Sequence, residues 1–216
     1  MDDLVAVAFD VGEVLVDETR VWSTWAGVLG VTPFTLHAAI GAALAGGRQH
    51  PDALDLVAPD WRDHVAEFEQ RLGGLQPIDL YPDALPTLAA LRAAGIAVAV
   101  AGNQPAARSA QLRAAGVEVD LLVTSEELGV DKPAPAFFDR VVARLGVAPA
   151  ACLYVGDRHD NDIGPAADAG LRTFWLRRGP WALLQPVGRV TPDVVADDLA
   201  AVVAAVTAAA GRAHGG

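Results

Sequence analysis

The chain has 216 residues, 52% of them hydrophobic, which suits one α/β domain with a modest insertion and excludes a disordered chain. Its formal net charge of −11 gives a surface that repels nucleic acid and anionic membrane, so neither is an expected partner, and an anionic substrate would need local positive charge from a lysine or a bound cation. The single cysteine, Cys152, excludes an internal disulfide; the opening Met1-Asp2-Asp3-Leu4 lacks a signal-peptide pattern, and no apolar run approaches the ~20 residues of a membrane helix, so a cytoplasmic protein is expected.

Residues 4–9 are a continuous apolar run that stops at Asp10 and reads as a buried strand. Residues 19–80 then break the pattern: Trp22, Trp25, Phe34, Trp61 and Phe68 recur at helical spacing, Gly46-Gly47 interrupts them, and no strand pattern shows. This stretch reads as a helical cap, residues 19–80, inserted into a core made of residues 1–18 and 81–216; the alternative is a set of helices covering one sheet face. Leu85, Leu88 and Leu91 mark a helix stopped by Gly95, and residues 96–101 form the second strand. A helix over 104–115 ends at Gly116, and residues 120–123 make the third strand. A helix over 133–145 ends at Gly146, and residues 151–155 make the fourth. A helix over 162–169 ends at Gly170, before strands at 173–176 and 193–196 and an alanine-rich C-terminal helix. Strand and helix alternate as they do in a Rossmann-like parallel α/β sheet.

In such sheets ligands bind beyond the carboxyl ends of the strands. Here those ends carry Asp10, Gly102-Asn103 and Gly156-Asp157, with Asp162 five residues further on and Lys132 in a loop before Pro133-Ala134-Pro135. Carboxylates, a lysine and a hard cation are what phosphoryl chemistry uses: one carboxylate attacks phosphorus, others hold Mg²⁺, and the cations balance the transferring charge. Each residue also has a plain structural role to weigh. A strand-end aspartate can be a turn former, Asp162 can cap the next helix, and Lys132 can be a solvated loop residue. Cys152 and the insertion's tryptophans read as core.

Phe9-Asp10-Val11-Gly12-Glu13-Val14-Leu15 resembles the first motif of the haloacid dehalogenase superfamily. Residues 98–103 sit where its second motif lies, Lys132-Pro133-Ala134-Pro135-Ala136-Phe137 resembles the third, and Val155-Gly156-Asp157 followed by Asp162-Ile163 resembles the fourth. Phe174-Trp175-Leu176-Arg177-Arg178-Gly179 is similar to a stretch that often follows, so the likeness runs from about Val5 to Asp198. The resemblance implies that Asp10 is the nucleophile. It implies that Mg²⁺ binds the Asp10 carboxylate, the Gly12 carbonyl and Asp157, with Asp162 supporting the metal or orienting Lys132. Lys132 would pair with Asp10 and the phosphoryl oxygens, Gly102 and Asn103 would meet the phosphoryl group, and the insertion would be a cap that closes over the site.

Two positions depart from the family pattern. Gly12 stands where most phosphatases of the family carry a second aspartate, a general acid and base worth about 10²–10⁴-fold in rate. Glu13 is expected to point elsewhere from the turn, and Asp17, His159 or a cap residue are the other candidates. Gly102 replaces a Ser or Thr whose hydroxyl would be worth ~1.5–3 kcal/mol to a charged group. The expected function is a Mg²⁺-dependent phosphatase acting on a small phosphorylated metabolite, as a monomer or homodimer. The alternatives are an impaired relative that binds a phosphorylated ligand or a partner, and a 2-haloacid dehalogenase, against which Gly12 and the Gly156-Asp157 pair argue.

Overall fold

A computed structural model describes residues 3–213, and side chains as far as residue 207. Six parallel strands form one sheet: β1 (Ala6–Phe9), β2 (Ala97–Gly102), β3 (Leu121–Thr124), β4 (Cys152–Gly156), β5 (Arg172–Leu176) and β6 (Val194–Ala196). Their spatial order is β3-β2-β1-β4-β5-β6, so the first strand lies inside the sheet and the order reverses around it. All six expected strands are present, each within two residues of its expected bounds.

The apolar runs are not uniform, and the difference sorts the two faces. In β1 and β2 the residues alternate Ala-Val-Ala-Phe and Ala-Val-Ala-Val-Ala-Gly. Side chains alternate across a strand, so Val7, Phe9, Val98 and Val100 share one apolar cluster while Ala6, Ala8, Ala99 and Ala101 share another. The alanine face leaves room for bulk: Phe137 and Phe138 from a covering helix and Tyr154 from the neighbouring β4 fill it, ring against ring.

Residues between β1 and β2 fold as α1 (Thr19–Val28), α2 (Pro33–Ala45), α3 (His50–Val57), α4 (Val65–Leu72) and α5 (Ala84–Ala93). The first four, joined by Trp61 and by Trp181 from the far end of the chain, form a separate apolar cluster in which Trp25 stacks on Phe68 at 4.2 Å and meets Trp61 edge-on at 5.6 Å. Phe34, expected among these aromatics, is instead exposed on the first turn of α2. The unit is stapled where it leaves and rejoins the sheet. Arg20 bonds both oxygens of the buried Asp79 and the carbonyls of Leu72 and Gly74, and Val16 bridges to Leu80.

The remaining helices are α6 (Ala107–Ala114), α7 (Ser125–Leu128), α8 (Pro135–Leu145), α9 (Gly164–Asp168), α10 (Gly179–Leu184) and α11 (Ala200–Ala213). Two begin later than the sequence suggests. A residue before proline is pushed out of the helical region, so Ala134 stays extended and α8 starts at Pro135 rather than 133. Residues His159–Ile163 wind as a single π-turn, and α9 starts only at Gly164, which leaves Asp162 inside the turn. α7, capped by the Thr124 hydroxyl, and α10, started by Gly179-Pro180, were not foreseen. Among the described residues no single helix is long and apolar enough to cross a membrane.

Candidate active site

The central strands β1, β2 and β4 end side by side, which sets Asp10, Gly102 and Gly156-Asp157 at one rim of the sheet. Asp10 is registered by its own amide, which donates to the Val155 carbonyl at 2.9 Å. Lys132 arrives from the loop between α7 and α8. Its main chain is clamped by the Asn103 side chain, which accepts from the Lys132 amide at 2.7 Å and donates to the Lys132 carbonyl at 2.9 Å. The Lys132 ammonium is buried and lies 2.8 Å from Asp10 Oδ1 and 2.6 Å from Asp162 Oδ1. Asp162, wholly buried, takes the Arg158 amide on its other oxygen at 3.1 Å. It therefore orients Lys132 and caps no helix.

Carboxylate oxygens of Asp10, Asp157 and Asp162 all lie within 4.8 Å of one another. Burial pushes the Asp157 carboxyl well above the usual carboxylate range, and the charges of Asp162, Asp10 and Glu13 add to the push. Asp157 Oδ2 is buried with no hydrogen-bond partner. Burial pulls the Lys132 ammonium down, but Asp10 and Asp162 more than offset this and hold it well above the ordinary lysine value. Burial also raises Asp162, against the opposing charge of Lys132. Three carboxylates against one ammonium leave two formal negative charges, and one buried carboxylate oxygen has no partner. A divalent cation that prefers hard oxygen ligands fits this donor set in both charge and chemistry.

Above the cluster is a cavity of about 180 Å³ lined by Asp10, Gly12, Glu13, Glu18, Asn103, Lys132 and Asp157. Its outer wall is the seam between the helical unit and the sheet, where His50, Arg158 and Trp181 meet. Arg158 lies over the Trp181 ring at 3.7 Å and donates to Gln49 at 2.9 Å and Asp160 at 2.8 Å. The His50 ring sits 4.4 Å from Trp22 and 4.6 Å from Trp181, and burial pushes its pKa down to about 3.

The glycine at 102 has a local reason. A Cβ there would stand 2.6 Å from Asp10 Oδ1, so a serine or threonine could not enter without displacing the carboxylate. The Asn103 side chain, expected near the phosphoryl group, bonds the Lys132 main chain through both of its polar atoms. Glu13 does line the cavity, contrary to expectation. It takes a positive φ of 54°, and its oxygens accept from the Glu18 amide at 3.0 Å and the Tyr81 hydroxyl at 2.7 Å. Asp17 caps the Thr19 amide, and His159 lies in a different cavity with its ring 4.4 Å from Trp175. Glu18, Arg158, His50 and Trp181 were missed. Gly179-Pro180 was a readable helix start for Trp181, but nothing in the sequence brings Glu18 to Gly12.

The model for haloacid dehalogenase-like hydrolases matches residues 4–170. The chain is 38% identical over 125 residues to a glyceraldehyde 3-phosphate phosphatase of Methanopyrus kandleri, covering 56% of this chain and 52% of the relative. It is 35% identical over 148 residues to a phosphoserine phosphatase of Thermus thermophilus, covering 66% of this chain and 56% of that one. The chain thus spans about half the length of these curated relatives. A crystallised L-2-haloacid dehalogenase superposes with a TM-score of 0.75 over 95% of this chain and 99% of its own, at 20% identity, a likeness of fold. With the sheet order, the buried acidic cluster and the family match in agreement, the chain belongs to the haloacid dehalogenase-like hydrolases.

Proposed function

We propose that the chain is a Mg²⁺-dependent phosphatase that cleaves a small phosphomonoester through an aspartyl-phosphate on Asp10. The observation that carries this reading is the orphaned Asp157 Oδ2 beside the Lys132-paired Asp10 and Asp162, a buried site short of two positive charges. Asp10, Asp157 and Asp162 would hold the cation, which when bound would supply positive charge to phosphoryl oxygens. The remaining work falls to the chain. Lys132, held between two carboxylates, aims Asp10. The cavity is small enough to select a compact ester, and Arg158 adds positive charge at its rim. The helical unit over residues 19–80 acts as the cap that closes this cavity, and both named relatives are phosphatases. A metabolite-sized substrate suits an acidic protein working in the cytoplasm.

The test is phosphate release from a panel of small phosphate esters, with Mg²⁺ and with chelator. Activity is expected only with the metal and is expected to fall to background in Asp10→Asn. Halide release from 2-chloropropionate that ignores chelator, with no phosphate release, would overturn the reading.

A further inference from the structure

Gly12 lacks a side chain, yet the space beside it is filled. A Cβ on residue 12 would lie 2.7 Å from Glu18 Oε1 and 3.1 Å from Glu18 Cδ. Glu18 comes from the start of α1, at the mouth of the helical unit, and lines the same cavity as Asp10 and Lys132. It holds the N-cap position of α1 but its side chain makes no capping bond, so helix capping does not explain where it points. The Trp22 indole donates to Oε2 at 3.2 Å, and Oε1 takes no hydrogen bond from any described side chain or amide. One oxygen anchors the carboxyl group and the other is presented to the cavity.

We infer that Glu18 is the proton-transfer residue of this site, its carboxyl group reaching from α1 into the place that a side chain on residue 12 would occupy. The inference rests on the phosphatase reading and supplies the group that reading lacks. In the first half-reaction an Asp10 oxygen bonds to phosphorus and the bond from phosphorus to the ester oxygen breaks. The bond's electron pair goes to that oxygen, which takes the proton of the Glu18 carboxyl and leaves as the alcohol. In the second, a water oxygen bonds to phosphorus and gives a proton to the Glu18 carboxylate. The bond between Asp10 and phosphorus breaks with its pair returning to Asp10, inorganic phosphate departs, and Glu18 is again protonated. The other carboxylates near the turn are unsuited: Glu13 has both oxygens engaged, and Asp17 accepts the Thr19 amide and lines a different cavity.

The experiment compares p-nitrophenyl phosphate, whose leaving group needs no proton, with glycerol 2-phosphate, whose leaving group does. Glu18→Gln, which keeps the bond from Trp22, is expected to lower kcat/KM for the alkyl ester about 10²–10⁴-fold. With the aryl ester it is expected to release a burst of nitrophenolate equal to the enzyme, then stall as phosphorylated Asp10 accumulates. A second pair of variants holds if Glu18→Gln folds poorly. Gly12→Asp alone is expected to lose activity through collision with Glu18, while Gly12→Asp with Glu18→Ala regains about tenfold or more over Glu18→Ala. Equal losses on both esters without a burst, together with no rescue by Gly12→Asp, would show a merely structural Glu18 and overturn the inference. A wild-type enzyme whose turnover depends on Asp10 but ignores Glu18 overturns this inference alone; a wild type with no phosphatase activity overturns both.

Discussion

At Asp157 the fold buries a carboxylate with one oxygen unpartnered and its pKa raised by burial and by three neighbouring acids. A folded-state pKa above the unfolded one means that the ionised group weakens the fold as pH rises, and neutral pH lies on the costly side. Asp157→Asn removes the charge and adds two donors among acceptors. We expect it to stabilise the metal-free protein by about 1–3 kcal/mol, while abolishing the rise in Tm that Mg²⁺ gives the wild type. Thermal melts with and without Mg²⁺ check both halves, and a metal-free variant less stable than wild type would contradict the first. The residue scale is also where the sequence was most and least legible. Asp10 and Asp157 were readable because each stands at the end of an apolar run, Lys132 because it precedes Pro133-Ala134-Pro135, and Asp162 because it follows Asp157 by five residues. Glu18 was not, because its meaning depends on its approach to Gly12, which only the folded turn creates.

At the scale of elements, the four-helix unit joins the sheet through one doorway. Arg20 grips Asp79 and two carbonyls at and beyond the end of α4, so the entry and exit segments are held together by a part-buried guanidinium network. Asp79→Ala leaves Arg20 facing two carbonyls without its counter-charge. The loss is expected to be about 1–3 kcal/mol, moderated because Arg20 is part exposed, with faster proteolysis between residues 73 and 80. Urea unfolding and timed thermolysin digestion measure it, and digestion unchanged from wild type would argue against the staple. The six strands were legible because their apolar runs end at glycine or a polar residue. The start of α9 was not, since a π-turn leaves no periodic signature in five residues.

For the whole molecule, the seam between helical unit and sheet is expected to be pH-sensitive through His50. Burial among Trp22 and Trp181, with Arg158 nearby, holds its folded pKa down at about 3, against an ordinary 6.5. A histidine kept neutral by the fold gives stability that is complete above the unfolded pKa and is lost as pH falls from about 6.5 towards about 3. The slope is at most ~1.4 kcal/mol per pH unit for one proton. Carboxylates titrate in the same range, so the comparison is with His50→Phe, which keeps the ring. Between about pH 7 and about pH 5 the wild type is expected to lose about 1–2 kcal/mol relative to that variant. Parallel stability curves would remove His50 from the account.

The position of β1 carries a consequence for how the chain is born. β1 leaves the ribosome before the other five strands yet lies inside the sheet with a neighbour on each side, and its partner β4 ends only at Gly156. Until then a nascent chain can pair β1 with β2 but must leave its other edge open, a template for mispairing. The acidic cluster shares that schedule: Asp10 waits for Lys132, and Lys132 for Asp162. Closing the sheet and assembling the site are therefore one late event, and a half-made molecule has neither.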